Sequence, residues 1–218
     1  MIEFTSDRLK VLAKWDTPTI CNALEIVMPE RRGFGFTIDP FYCLDPSLPP
    51  IVGYARTAKL RAAQPASGSA EANRIPYYEY IAEGPKPGIG AFWGEVNTAV
   101  HKGLGALGVI TNGSIRDLSD SAPGFQALGG HVGPSHAFVY PVDFNWPVTV
   151  HGMEVAYNDI IHADQHGAVL LPQDCISKIP EAVELVSRRE EQVLKAARAD
   201  DFNIEKLKKA INRSADIH

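Results

Sequence analysis

Between residues 131 and 172 the chain breaks into short runs of β-type residues, HAFVYPV, WPVTV, HGMEVAYNDII and HADQHGAVLLP, each closed by turn residues. From Pro180 the pattern changes to helical spacing, with Ala182, Val183, Leu185, Val186, Val193, Leu194 and Ala197 recurring on one side. A chain whose apolar period changes in this way builds a sheet and covers it with helix. The spacing predicts a β-meander over 131–172, with turns at Asn158-Asp159 and His166-Gly167, then a long helix and a last lysine-rich helix over 204–211.

The first half alternates. Residues 7–28 read as two short helices. Ser6 or Asp7 suits the first cap, above a stripe of Leu9, Val11, Leu12 and Trp15. Thr17-Pro18 opens the second, because proline at the first helical position loses no hydrogen bond; Ile20, Cys21, Leu24 and Val27 form its stripe. Residues 29–50 carry prolines, glycines and four aromatic residues and predict a long loop, either an Ω-loop packed by its own side chains or a lid or subunit contact. A strand follows over 51–63, a polar turn over 64–68 and a helix over 70–83 that Pro76 interrupts. A short apolar run over 88–93 stops at Gly94, a helix spans 95–107, and a second apolar strand over 108–111 runs into Asn112-Gly113. No repeat or low-complexity tract interrupts this order. It predicts mixed α and β in a single domain over 1–218, with a core at about 15–175 and C-terminal helices over 176–218.

Composition removes several functions. With 21 basic and 26 acidic side chains among 218 residues, and a net charge of −5, the chain lacks the basic excess of a nucleic-acid binder. The three cysteines, Cys21, Cys43 and Cys175, are widely spaced and contain no CxxC, which fits a reducing cytoplasm and excludes a zinc ribbon. The N-terminus carries acids rather than an apolar signal core, and no apolar run is long enough to span a bilayer. No P-loop, GxSxG, HExxH or EF-hand pattern occurs. His162 and His166 are four apart, but in a strand-and-turn segment rather than on one helix face, so they read as solvated or structural.

Chemistry concentrates at two glycine-ended strands. Gly94 opens a helix, so the N–H groups of Glu95, Val96 and Asn97 are donors without intrahelical acceptors and form, with the helix dipole, an anion site. The second strand delivers Arg116, a fork for a carboxylate or an enolate oxygen, and Asp117, an oxygen ligand for a hard cation such as Mg²⁺. Together these suit a small carboxylic acid. The same residues also fit a plainer structural role, with Asp117 capping a short helix over 118–120 and Arg116 beside it in a surface ion pair.

On these residues the chain resembles the RraA-like family, which includes class II 4-hydroxy-4-methyl-2-oxoglutarate / 4-carboxy-4-hydroxy-2-oxoadipate aldolases. The resemblance rests on GEVN at 94–97, GVITNGSIRD at 108–117 and VHGMEVAYNDIIHADQHGAVLLP at 150–172, with WDTPTICNALE and REEQVLKAAR at the two ends. It implies an α/β fold, a swivelling β/β/α sandwich, assembled as a homotrimer or dimer of trimers with sites between subunits. It further implies a divalent metal, Mg²⁺ or Mn²⁺, on Asp117, and substrate contacts from Gly94, Glu95, Val96, Asn97 and Arg116. A carboxylate from a neighbouring subunit's C-terminal helix completes the set, with Glu191 the best match and Glu190 the next.

The implied activity is retro-aldol cleavage of a 4-hydroxy-2-oxo acid to pyruvate, or oxaloacetate decarboxylation. Arg116 would stabilise the enolate, and Glu95 or Glu191 would orient a basic water. A Schiff-base lysine is the competing route, with Lys59 and Lys102 as candidates, neither at a strand's carboxyl end beside the anion site. The family also holds protein-binding regulators of a ribonuclease; Asp117 favours the metal-dependent branch. Three departures from the family pattern bear on substrate: Asn112 in place of the commoner aspartate, the bulkier Trp93 and Asn97 setting, and PYYEYIAEGPKPG at 76–88.

Overall fold

The computed structural model describes residues 6–69, 72, 74–83 and 93–218. The apolar run over 88–92 and part of the PYYEYIAEGPKPG stretch lie outside them. In chain order the elements are α1 (Ser6–Lys10), α2 (Thr17–Val27), β1 (Tyr42–Cys43), β2 (Ile51–Tyr54), β3 (Ala58–Arg61), α3 (Arg74–Glu83), α4 (Glu95–Gly103) and β4 (Gly108–Ile115). Then come β5 (Gln126–Val132), β6 (Tyr140–Phe144), β7 (Val148–Val150), β8 (Met153–Val155), β9 (Ile160–Asp164), β10 (Gly167–Leu171), α5 (Ile179–Ala197) and α6 (Ile204–Ala215). Short 3₁₀ turns lie at Leu12–Lys14, Pro29–Arg31 and Ile176–Lys178. Among the described residues no helix is long and apolar enough to cross a membrane.

The chain forms two compact units, one of residues 1–17 and 34–173, the other of residues 18–33 and 174–218. The first holds every strand of the described residues. β4 and β5 run parallel, with β1 antiparallel on the outer side of β5. Side chains alternate across this sheet as strand geometry requires. Ile110 and Leu128 pack on one side with Val150, Met153, Val155, Ile161, Ala163 and Ala168 from β7 to β10. Val109, Ile115 and Ala127 pack on the other with Trp93, Ala106 and Phe125, under α4. A sheet buried on both faces, by strands on one and helix on the other, is the β/β/α layering.

Three expectations change here. The strand expected over 51–63 is two strands, because β2 pairs with β9 and β3 with β6. The chain changes sheet at Ala55, Arg56 and Thr57, held by Ala55 N–H on Asp159 O (2.7 Å) and Asn145 N–H on Thr57 O (2.9 Å). The expected meander is likewise divided: β9 and β10 form a hairpin beside β2, β6 joins β3, and β7 pairs with β8. The β7–β8 turn is His151-Gly152, both at positive φ (46° and 78°), a conformation suited to a tight hairpin. The turns expected at Asn158-Asp159 and His166-Gly167 lie one residue earlier, at Tyr157-Asn158 and Gln165-His166, with Gly167 already paired to Asp164 in β10. Pro76 does not interrupt α3; it lies in the first turn, where the missing N–H has no intrahelical acceptor.

The 34–50 loop packs on the core rather than on itself. Thr37 N–H donates to Ala168 O (2.9 Å), Leu170 N–H to Gly35 O (2.8 Å) and Ile38 N–H to His151 O (2.8 Å), and Phe36 bridges Val169. His162 is fully buried, with Nδ1 3.0 Å from Thr17 Oγ1 and Nε2 3.1 Å from Trp15 O. It is a structural histidine tying the N-terminal segment to β9.

In the second unit, α5 buries Ile179, Ala182, Val183 and Val186, the one-face spacing of an amphipathic helix. Asn203 caps α6 by accepting Lys206 N–H at 3.1 Å. Asn22 of α2 donates to Glu190 of α5 at 3.3 Å.

Candidate active site

β4 continues past the expected end at Thr111, through an irregularity at Asn112-Gly113, to Ile115. Asn112 Nδ2 donates to Thr149 O (2.9 Å) while its Oδ1 accepts His151 N–H (2.7 Å), so the side chain clamps the β7–β8 hairpin. An aspartate could make only the second of these bonds, which gives Asn112 a structural reason.

Arg116 and Asp117 follow β4 directly. Arg116 N–H donates to Trp93 O at 2.9 Å, pinning the segment that leads into α4 against the end of β4. Asp117 has φ 50°, a left-handed conformation that aspartate tolerates better than most residues. Its Oδ2 accepts the N–H of Glu95 at 3.1 Å and lies 3.6 Å from Arg116 Nε. Asp117 is therefore a cap, but of α4 rather than of residues 118–120, which form only a turn. Gly94 makes room for it: a Cβ there would overlap the Asp117 carboxylate and crowd the Arg116 side chain.

This corrects the expectation of three open amides. The Glu95 N–H is occupied by the protein's own carboxylate, and only the Val96 and Asn97 N–H groups lack a partner among the described residues. Asn97 is tightly held: its Oδ1 accepts Tyr78 Oη (3.0 Å), and its backbone oxygen lies 2.7 Å from His101 Nδ1. His101 is fully buried and also bonds Tyr77 Oη through Nε2 (2.9 Å). Burial holds its pKa down at about 4, so the ring is neutral at pH 7. With Nδ1 donating to Asn97 O, Nε2 accepts from the tyrosine.

Beside this corner opens a cavity of about 900 Å³, within the first unit, large enough for a small organic ligand. Gly94, Asn97 and Arg116 line it; Glu95, Val96 and Asp117 do not. Glu190 and Glu191 lie on exposed positions of α5 in the second unit. The described wall has a one-sided charge. Arg56, Lys59, Arg74 and Arg116 contribute to it, with His131 and His136, and no aspartate or glutamate does. In a chain of net charge −5 that is an anion-attracting wall.

Sequence reasoning missed Arg56, which lies where one strand was expected to run straight through. It also kept Lys59 away from the site, whereas Lys59 lines the cavity as an exposed side chain. An exposed ammonium lacks the desolvation that a Schiff-base amine uses. Lys102 donates to Pro123 O instead.

The RraA-like (Aldolase/RraA) family profile matches residues 17–170, most of the chain. This chain belongs to the RraA-like family. Among solved structures, this RraA-like chain is similar to an uncharacterized protein from Pseudomonas syringae pv. tomato (18% identity over 97% of this chain and 96% of that one, TM-score 0.71). A structure described as novel cellulases from gut-associated microbes gives 16% identity over 88% and 89%, with TM-score 0.71. Streptomyces coelicolor RraAS2, described as an unusual member of the RNase ES inhibitor RraA protein family, gives 20% identity over 91% and 98%, with TM-score 0.66. At these identities the likeness establishes a shared fold. No protein of curated function matches the RraA-like chain in sequence.

Proposed function

We propose that this RraA-like protein is a divalent-metal-dependent lyase acting on small 2-oxo acids. It would cleave a 4-hydroxy-2-oxo acid to pyruvate, decarboxylate oxaloacetate, or both. The observation that carries the reading is Arg116 in the wall of a cavity whose described lining holds basic groups and no acid, with Asp117 beside it, 3.6 Å from its Nε, capping the α4 N-terminus.

The residues fit one kind of metal only. Asp117 Oδ2 is engaged, Oδ1 has no partner among the described residues, and the side chain is 38% exposed. Among the described residues no cluster of three or more histidine, cysteine, aspartate or glutamate side chains could cage an ion. A single free carboxylate oxygen suits Mg²⁺ or Mn²⁺ taking its other ligands from water and substrate. Held by Asp117, such an ion would act as a Lewis acid toward the keto acid.

The chain's own groups do the rest. The Asn97 and Val96 amides and the helix dipole attract the substrate carboxylate. Arg116 forks onto the oxygen where enolate charge develops when the carbon–carbon bond breaks, an electrostatic contribution of about 3–4 kcal/mol. The 4-hydroxyl proton passes to a water oriented by Glu95, or by Glu191 of a neighbouring subunit in a homotrimer or dimer of trimers.

The test is pyruvate release from oxaloacetate and from 4-hydroxy-4-methyl-2-oxoglutarate, with Mg²⁺ and then with EDTA. Release above the metal-only background that EDTA abolishes is the expected result. No release from either acid would overturn the reading.

A further inference from the structure

Four buried side-chain polar atoms among the described residues have no hydrogen-bond partner: Arg56 Nη2, Thr57 Oγ1, Trp93 Nε1 and His151 Nε2. The first three belong to residues lining the cavity beside Arg116. Buried polar atoms in folded proteins are nearly always paired, so a cluster of orphans at a cavity wall marks a place where a ligand supplies the partner.

Arg56 is the strongest of them. It is 1% exposed, at the crossing between β2 and β3. Its Nη1 donates to Asn158 Oδ1, and its guanidinium lies 4.6 Å from the Tyr157 ring centroid and 6.0 Å from that of Tyr80. The two rings, 5.9 Å apart, lie on the same side of it and the amide takes one nitrogen, while Nη2 is left over. No described carboxylate pairs with it. Asp159, the nearest by sequence to its Asn158 contact, turns its Oδ2 to Ala156 N–H at 2.7 Å. A buried guanidinium without a counter-charge is costly, and an anion that completes the fork relieves that cost. Thr57, next in sequence, adds an unpaired hydroxyl; its backbone oxygen is already taken by Asn145 N–H and Tyr80 Oη.

We propose that Arg56 and Thr57 form a second anion subsite, which binds the distal carboxylate of a dicarboxylic 2-oxo acid whose 2-oxo-carboxylate end lies at Arg116. The proposal rests on the 2-oxo-acid reading for the class of ligand. It makes Arg56 a specificity-determining residue: it selects diacids over monoacids of the same length.

The test compares 2-oxoglutarate with 2-oxopentanoate, which match in length and differ by the distal carboxylate, using calorimetric titration with Mg²⁺ present. The wild-type protein is expected to bind 2-oxoglutarate at least about 10-fold more tightly. Arg56→Gln should close most of that gap and Arg56→Lys keep part of it, with 2-oxopentanoate affinity held within about two-fold. Thr57→Val, close in volume and removing a hydroxyl the free protein leaves unpaired, should narrow the gap without loss of stability. It decides the matter even if Arg56→Gln does not fold. Equal wild-type affinities, no binding of either acid, or a gap that survives both Arg56→Gln and Thr57→Val would overturn the subsite. The lyase stands or falls separately. A gap dependent on Arg56 in a protein that releases no pyruvate supports the subsite alone; pyruvate release without a gap supports the lyase alone.

Discussion

The Asp117 carboxylate accepts the backbone N–H of Glu95 at 3.1 Å, across 22 residues of sequence. One side chain thus caps α4 and presents a free oxygen beside Arg116, and the two roles are separable. Asparagine caps a helix about as well as aspartate. Asp117→Asn should therefore keep stability within about 0.5 kcal/mol in urea unfolding while lowering metal-dependent pyruvate release at least about 100-fold. A variant that stays active, or that unfolds, would contradict the assignment.

Arg116→Ala should be folded and nearly inactive. Its ion pair with Asp117 is half-exposed and long at 3.6 Å, so it contributes little to stability. Loss of the charge at a developing enolate is worth about 10²–10³-fold in kcat. Circular dichroism and turnover measured on the same preparation check both halves.

Gly94→Ala addresses geometry without chemistry. Gly94 has φ −155°, extended backbone that alanine adopts freely, so any effect is steric. The added methyl displaces the Asp117 carboxylate. We expect a stability loss of about 1–3 kcal/mol and a fall in activity of at least about 10-fold. Wild-type turnover would show that the carboxylate position is not needed.

His101 predicts an acid limit to stability. Its pKa is about 4 in the folded protein, against an ordinary value of 6.5. Between those values the unfolded chain binds a proton that the folded chain does not, so stability rises with pH across that window. It is complete above about pH 6.5 and falls as pH drops toward 4, by up to about 3 kcal/mol from this group. Burial pushes His162 in the same direction. Urea midpoints from pH 7.5 to 4.5 should fall, and His101→Gln should flatten the slope.

Asn112→Asp removes the donor to Thr149 O and places a carboxylate against that carbonyl. A cost of about 1–3 kcal/mol is expected, visible as a lower urea midpoint at pH 7 that recovers in part as the carboxyl protonates on acidification.

Much of this arrangement was legible in the residues themselves. The α4 helix, β4 with Arg116 and Asp117 at its end, the β9–β10 hairpin and α5 all follow from local period and punctuation. β5 was missed because QALGGHV mixes glycine and polar residues, and its pairing with β4 is a tertiary fact. Gly129 and Gly130 are there because the Ile115 side chain and the Asn112 carbonyl come too close for a Cβ. The break at Ala55, Arg56 and Thr57 carries no proline or glycine, so nothing local announces it; it exists because β2 and β3 find partners far along the chain, in β9 and β6, in different sheets. Arg56 was invisible for the same reason. The capping of α4 by Asp117 needed the through-space contact.

The loop over 34–50 has one more effect. β10 ends its sheet, and a strand in that position offers a row of open amides and carbonyls to any other chain. Gly35, Phe36 and Thr37 occupy part of that row through Leu170, Val169 and Ala168. The protein thus shields its own sheet margin with a few residues of irregular chain, and trimming that stretch should show first as loss of solubility on storage rather than as loss of fold.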